Sequence, residues 1–148
     1  MPDSLKGAIL GFIAAVLAVL TFHQGMIQLL ASLGLGQGAW FNTSPVPPFG
    51  VPRIVSLCFW GGLYGAVFGL LARRFTLPLW VCGLILGVIA SLVGMFLVAW
   101  IRGAPIANNW MAGPIVRSLV INGAWGIGTG LFLSLLLPRA ARRRPALG

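Results

Sequence analysis

Four times along the chain an apolar stretch of about 20 residues runs almost without interruption, the length that crosses a hydrocarbon core of roughly 30 Å as a helix. Backbone amides and carbonyls find no water inside a bilayer, so a spanning segment must satisfy them internally as a helix or within a closed barrel. Barrel strands alternate with period two, and these runs do not. Composition agrees: 59% of the 148 residues are hydrophobic and 7% are charged, against about a quarter charged in a soluble domain, so a water-facing surface cannot be built from them. The expected fold is an all-α integral membrane protein of four transmembrane helices in a single membrane domain, residues 1–148.

The first span starts near Leu5, with an apolar run at 8–22 and a more polar continuation at 23–33. Residues 26–33 of that continuation either extend the first helix or lie along the interface, and Gln28 makes the interfacial choice attractive. The others cover about 52–72, 79–101 and 114–137. Residues 34–51 are rich in Gly and Pro and read as a long loop with Trp40 and Phe41 at headgroup level. Residues 102–113 form a shorter loop. The turn through Thr76 and Pro78 is tight, so the second and third helices are expected to be antiparallel neighbours. Lys6 stands against Asp3 at the amino end and no small-residue cleavage site follows, so the first helix is read as retained, not as a secretory signal.

The net charge of +9 reports topology. Lys6, Arg73, Arg74, Arg139, Arg142, Arg143 and Arg144 fall on one face of the four-span arrangement, and Arg53, Arg102 and Arg117 on the other. The richer face is assigned to the cytoplasm, which puts both termini there, in a membrane of the bacterial inner-membrane type. Because these charges sit at helix ends and in the tail at 138–148, nucleic acid is not an expected partner, whereas anionic lipids of the bilayer are.

The chain also resembles itself. GAILGFIA at 7–14 matches GLILGVIA at 83–90 in six of eight positions, and GLYGAVFGLL at 62–71 matches GAWGIGTGLF at 123–132 in three glycines and a leucine, with Tyr64 opposite Trp125. The offsets are 76 and 61 residues, so each half is a two-helix hairpin entering the membrane in the same direction, about 5–74 and 77–137. The first copy then holds 15 extra residues between its matched blocks. Small residues recur four apart at Gly7, Gly11 and Ala15, at Gly83, Gly87 and Ser91, at Gly61, Gly65 and Gly69, and at Gly126 and Gly130. Such stripes let backbones approach closely, which matters where lipid tails offer no hydrophobic drive between helices. Packing within the chain is the favoured use, with self-association the alternative.

Few residues could carry chemistry. His23 is the only histidine; with no second histidine and no carboxylate or cysteine at its level, ligation of haem or metal is disfavoured, and no cofactor or metal is expected. Asn122 sits about two turns inside the fourth helix and Arg117 one turn nearer its start. Together with His23, Gln24 and Arg53 they outline a polar, positively charged cluster able to receive an anionic lipid headgroup or small anion. The plainer reading has the arginines snorkelling to headgroups and Asn122 bonding a neighbouring helix. Asp3 is the sole carboxylate, which removes paired-carboxylate catalysis and an acidic metal cage. Cys58 and Cys82 lie near opposite membrane faces, too far apart for a disulfide. No GxSxG, HExxH or GxxxxGK[ST] pattern occurs, so no enzyme is expected.

The favoured role is a small helix-packing accessory or oligomeric component of the membrane. The alternative is a small transporter or channel for a small or anionic solute. A water-accessible cavity reaching His23, Arg53, Arg117 and Asn122 would favour the second, and a closed bundle the first.

Overall fold

The computed structural model describes residues 2–137. The tail arginines Arg139, Arg142, Arg143 and Arg144 lie outside the described residues. The fold is all-α, with four helices long and apolar enough to cross a membrane: α1 (Asp3–Ser32), α2 (Arg53–Arg74), α3 (Leu79–Ile101) and α4 (Ala112–Leu136). Their outward faces are apolar nearly throughout, with Trp100 and Leu135 each more than seventy per cent exposed. Helices that are hydrophobic all round suit a lipid surrounding.

The span at 79–101 is found where the sequence placed it. Of the two readings open for 26–33, the structure has the continuation: α1 runs on to Ser32. At 1.5 Å per residue the helix reaches about 45 Å, well beyond the hydrocarbon thickness. It stops at Gly34, whose φ of 71° is the left-handed conformation that glycine adopts without steric cost. There the N–H of Gly34 donates to the Ala31 carbonyl and that of Leu35 to Leu30. The same pair of bonds ends α3, from Gly103 to Trp100 and from Ala104 to Ala99. Each of these two helices also widens into a π turn, Val19–His23 in α1 and Val93–Val98 in α3.

Laterally the helices run in the order α2, α1, α4, α3. Although joined by the tight turn, α2 and α3 scarcely touch, so their expected close pairing is replaced by α1 on α2, α3 on α4 and α1 on α4. Glycine explains the preference. A Cβ on Gly11 would run into the Gly65 carbonyl and stand 2.8 Å from the Gly69 Cα, and one on Gly83 would run into the Gly126 carbonyl. Backbones in contact gain dispersion along their whole length, and only residues without side chains permit it.

Two apolar clusters fill the centre. Ala14, Phe68 and Leu133 lie toward the end where α1 begins and α4 ends, called the termini end below, beside Leu10, Ala72, Phe75 and Leu79. Ala15, Ala18, Val19 and Trp125 lie at mid-height, where the buried indole N–H of Trp125 donates to the Ala15 carbonyl at 3.1 Å and fastens α4 to α1. At the termini end Asp3 pairs with Arg73 at 2.7 Å, both well exposed.

The opposite end, called the loop end below, carries two connections. Residues 33–52 contain a two-residue antiparallel pairing of β1 (Pro45–Val46) with β2 (Val51–Pro52). The carbonyls of Ser44 and Asn42 accept from the N–H groups of Arg53 and Ile54, satisfying the first donors of α2. The other connection holds a short turn, Ile106–Trp110, in which Ala107, Asn108, Asn109 and Trp110 all have φ between 46° and 60°.

Candidate functional site: a basic cavity at the loop end

All four helices turn one face toward an open cavity of about 1080 Å³ at the loop end. From α1 come His23 and Ile27, from α2 Arg53 and Leu57, and from α4 Pro114, Arg117, Ser118, Ile121 and Asn122, which recur at helical spacing along one side. The π turn of α3 supplies Gly94, Met95 and Val98, followed by Ala99 and Arg102. An inserted π residue rotates the side chains that follow it, and such turns recur at functional sites.

Of the five candidate polar residues, His23, Arg53, Arg117 and Asn122 line this cavity together. Gln24 does not. It is buried on another face of α1, where its side-chain oxygen accepts from the Phe41 N–H at 3.0 Å and ties the long loop to the helix. That loop in turn wraps Arg117: the guanidinium donates through Nη2 to the Gln37 carbonyl, and Gly36 and Gly38 lie against it where side chains would collide.

Asn122 was expected to bond a neighbouring helix. Its amide instead donates to the Ser118 carbonyl one turn back on α4, at 3.0 Å, while the contact across to α3 is made by the Ser91 hydroxyl, which donates to the same carbonyl at 3.0 Å. In the sequence Ser91 is legible only as the small residue that completes the stripe of Gly83 and Gly87. Arg102, Asn108, Asn109 and Ser118 also line the cavity and were not singled out as site residues. Arg102 was visible as a charge on the same side as Arg53 and Arg117, but nothing in the sequence brought it to them. The asparagines depend on the left-handed turn. L-residues in such a run cost roughly 1–2 kcal/mol each, and asparagine tolerates the conformation best.

The electrostatics are one-sided. Arg53, Arg102 and Arg117 share the cavity, no acidic side chain lines it, and the single carboxylate of the chain is occupied with Arg73 at the far end. His23 is nine-tenths buried and its Nδ1 has no hydrogen-bond partner, an arrangement buried polar groups seldom keep unless something else satisfies them. Among the described residues no group of three or more His, Cys, Asp or Glu side chains is placed to hold a metal ion, and both cysteines are free. The site therefore offers guanidinium and amide donors, two hydroxyls and one imidazole, a set suited to holding an anion.

The chain matches no family model, no curated protein and no solved structure.

Proposed function

We infer that the protein is a small multi-pass membrane protein that takes up an anionic ligand through the cavity at its loop end, as the binding station of a transporter or carrier. The observation that carries this reading is the meeting of His23, Arg53, Arg117 and Asn122, joined by Arg102, in one open cavity without a carboxylate. A closed bundle would have favoured a purely structural role. Toward the termini end the bundle is sealed, with Thr129 and Leu133 fully buried, so the cavity is a vestibule and not a through-channel. Passage across the membrane would require the glycine contacts to part.

The sidedness follows from charge. With the seven basic residues in the cytoplasm, the cavity opens to the outer face of a bacterial-type inner membrane. No catalytic role is assigned, since no nucleophile in the cavity has a base beside it beyond the lone His23.

The architecture is read as a duplicated hairpin. Supporting it, Gly11 of α1 lies against Gly65 and Gly69, and Gly83 of α3 against Gly126 and Gly130, while both odd helices carry a π turn and the same glycine cap. On that correspondence the second pair has slid by one helical turn, since Gly11 is matched in sequence by Gly87 and not by Gly83. The glycine caps, at Gly34 and Gly103, also divide the 15 extra residues of the first copy. Seven lengthen α1 by two turns and eight lengthen the loop, and both parts wall the cavity through Ile27, Leu35 and Gln37.

The accessory or homo-oligomeric role rested on stripes free to meet another chain. Gly7, Gly11, Gly65, Gly69, Gly83, Gly87, Gly126 and Gly130 all face backbone of this same chain, and Gly61 faces Val19 and Trp125, which weighs against that use. The test is the thermal stability of the purified full chain with a panel of anions and their uncharged analogues. Stabilisation by anions alone, lost in Arg117→Gln, is expected; indifference to every anion would overturn the reading.

A further inference from the structure

The cavity has two chemically different parts, and together they specify more than an anion. At its mouth stand Arg53, Arg102 and Arg117 with Asn108 and Asn109. Further along the helices the lining is largely apolar, with Leu57 from α2 and Ala90, Gly94, Met95, Val98 and Ala99 from α3, interrupted by His23, Ser91, Ser118 and Asn122. The volume of about 1080 Å³ is at the upper limit of pockets that hold whole drug-sized molecules, many times what a phosphate ion occupies. An inorganic anion held by the arginines would leave the apolar part filled with water that finds few hydrogen-bond partners beyond His23, Ser91, Ser118 and Asn122.

The helix arrangement gives that part a way to be filled. α2 and α3 are joined at the termini end and scarcely touch along their length. At the loop end their extremities, Arg53 and Arg102, stand on the cavity wall. Because they scarcely touch, their contacts with each other do not cover the side between them, and lipid meeting that side would let a hydrocarbon chain lie there without leaving an apolar environment. The basic mouth then sits where a headgroup would be.

Resting on the anion-binding reading above, we propose that the ligand is an anionic amphiphile, a phosphate-bearing headgroup held by Arg53, Arg102 and Arg117 with its hydrocarbon chain between α2 and α3. The headgroup oxygens accept from guanidinium and asparagine donors, whose paired N–H geometry suits phosphate. The apolar part of the wall supplies the affinity that a free phosphate cannot use.

Gly94 makes the proposal testable, because it lines the apolar part and a Cβ added there meets nothing within 4 Å. Gly94→Phe therefore starts from open space at its Cβ and puts a ring where the chain would lie, and Val98→Phe serves as a second blocking variant. Native mass spectrometry of the full chain in detergent would compare dihexanoyl phosphatidic acid with inorganic phosphate as probes, on variants that elute as monodisperse as the parent. One phosphatidic acid per chain is expected, bound at least roughly a hundredfold more tightly than phosphate. Arg102→Gln should weaken both probes by about tenfold or more, the loss of a charge-assisted hydrogen bond. Gly94→Phe and Val98→Phe should weaken the lipid by about tenfold more than they weaken phosphate. If phosphate binds as well as the lipid, or both blocking variants leave lipid binding intact, the amphiphile proposal fails while the anion-binding function stands. If neither probe binds, or Arg102→Gln alters neither, both fall.

Discussion

The guanidinium of Arg117 donates to the carbonyl of Gln37, eighty positions away in the chain, and this bond joins the long connection at 33–52 to the fourth helix across the mouth of the cavity. Gly36 and Gly38 leave the space in which the side chain lies, with an added Cβ at Gly36 only 2.8 Å from the Arg117 Cζ. Gly36→Ala should therefore displace the guanidinium without disturbing the bundle, since the far end of an arginine moves easily. The melting temperature is expected to stay within a degree or two of the parent, while anion-dependent stabilisation falls several-fold. A variant that binds anions as the parent does would detach this contact from the site.

The same loop is held from the other side by Gln24, whose side-chain oxygen accepts from Phe41. Gln24→Leu removes the acceptor and leaves a donor without a partner, a loss of about 1–3 kcal/mol if it stays buried. Because the loop can instead turn that amide toward water, faster hydrogen exchange at Phe41 and its neighbours is expected, with the exchange of α3 unchanged. Equal protection in both proteins would show that the loop is held elsewhere.

Close backbone approach along the glycine stripes predicts a sharp contrast. A Cβ at Gly65 would collide with Ala15 and with the Gly11 carbonyl, so Gly65→Val should destabilise the protein by about 1–3 kcal/mol as an overpacked contact. Gly83→Val should do the same on the α3–α4 side, where the Gly126 carbonyl is in the way. A Cβ at Gly25 meets nothing within 4 Å, and Gly25→Ala should cost nothing. Unfolding in detergent with increasing denaturant would rank the three; similar midpoints for all would remove the packing role of the stripes.

Trp125 spans the centre of the molecule, its indole N–H on the Ala15 carbonyl. Trp125→Phe keeps most of the ring packing and deletes the bond. Interhelical hydrogen bonds in membrane proteins average about 0.6 kcal/mol with a maximum near 1.7, so a loss in that range is expected, read from the same denaturant titration. A loss above about 3 kcal/mol would mean that ring packing, and not the bond, fastens α1 to α4.

The spans were legible because lipid leaves the chain little choice: an apolar run of sufficient length must be helical, and 79–101 could be read directly. The end of α1 was not, because a helix ends where its backbone is capped, here at Gly34, and polar Gln24 and Gln28 do not stop it. The lateral order of helices was also hidden, since linkage by a tight turn says nothing about which glycine faces meet. Four cavity residues could be named from the cost of placing His23, Asn122 and arginines at membrane depth. Arg102, Asn108 and Asn109 could not, because their position depends on a left-handed turn at 107–110 that contains no glycine to announce it. Ser91 was seen for its size, and its hydroxyl proved to be the link to α4.

Cysteine accessibility tests the cavity itself most directly. In a background of Cys58→Ala and Cys82→Ala, Ser118→Cys places a thiol on the cavity wall, and Phe49→Cys places one on the exposed loop at the same end. Both should react with a membrane-impermeant thiol reagent applied to the face opposite the termini, with Ser118→Cys slower than Phe49→Cys. Ready labelling of Phe49→Cys with none of Ser118→Cys would contradict a water-reachable cavity, and the proposed uptake of an anionic ligand would fall with it.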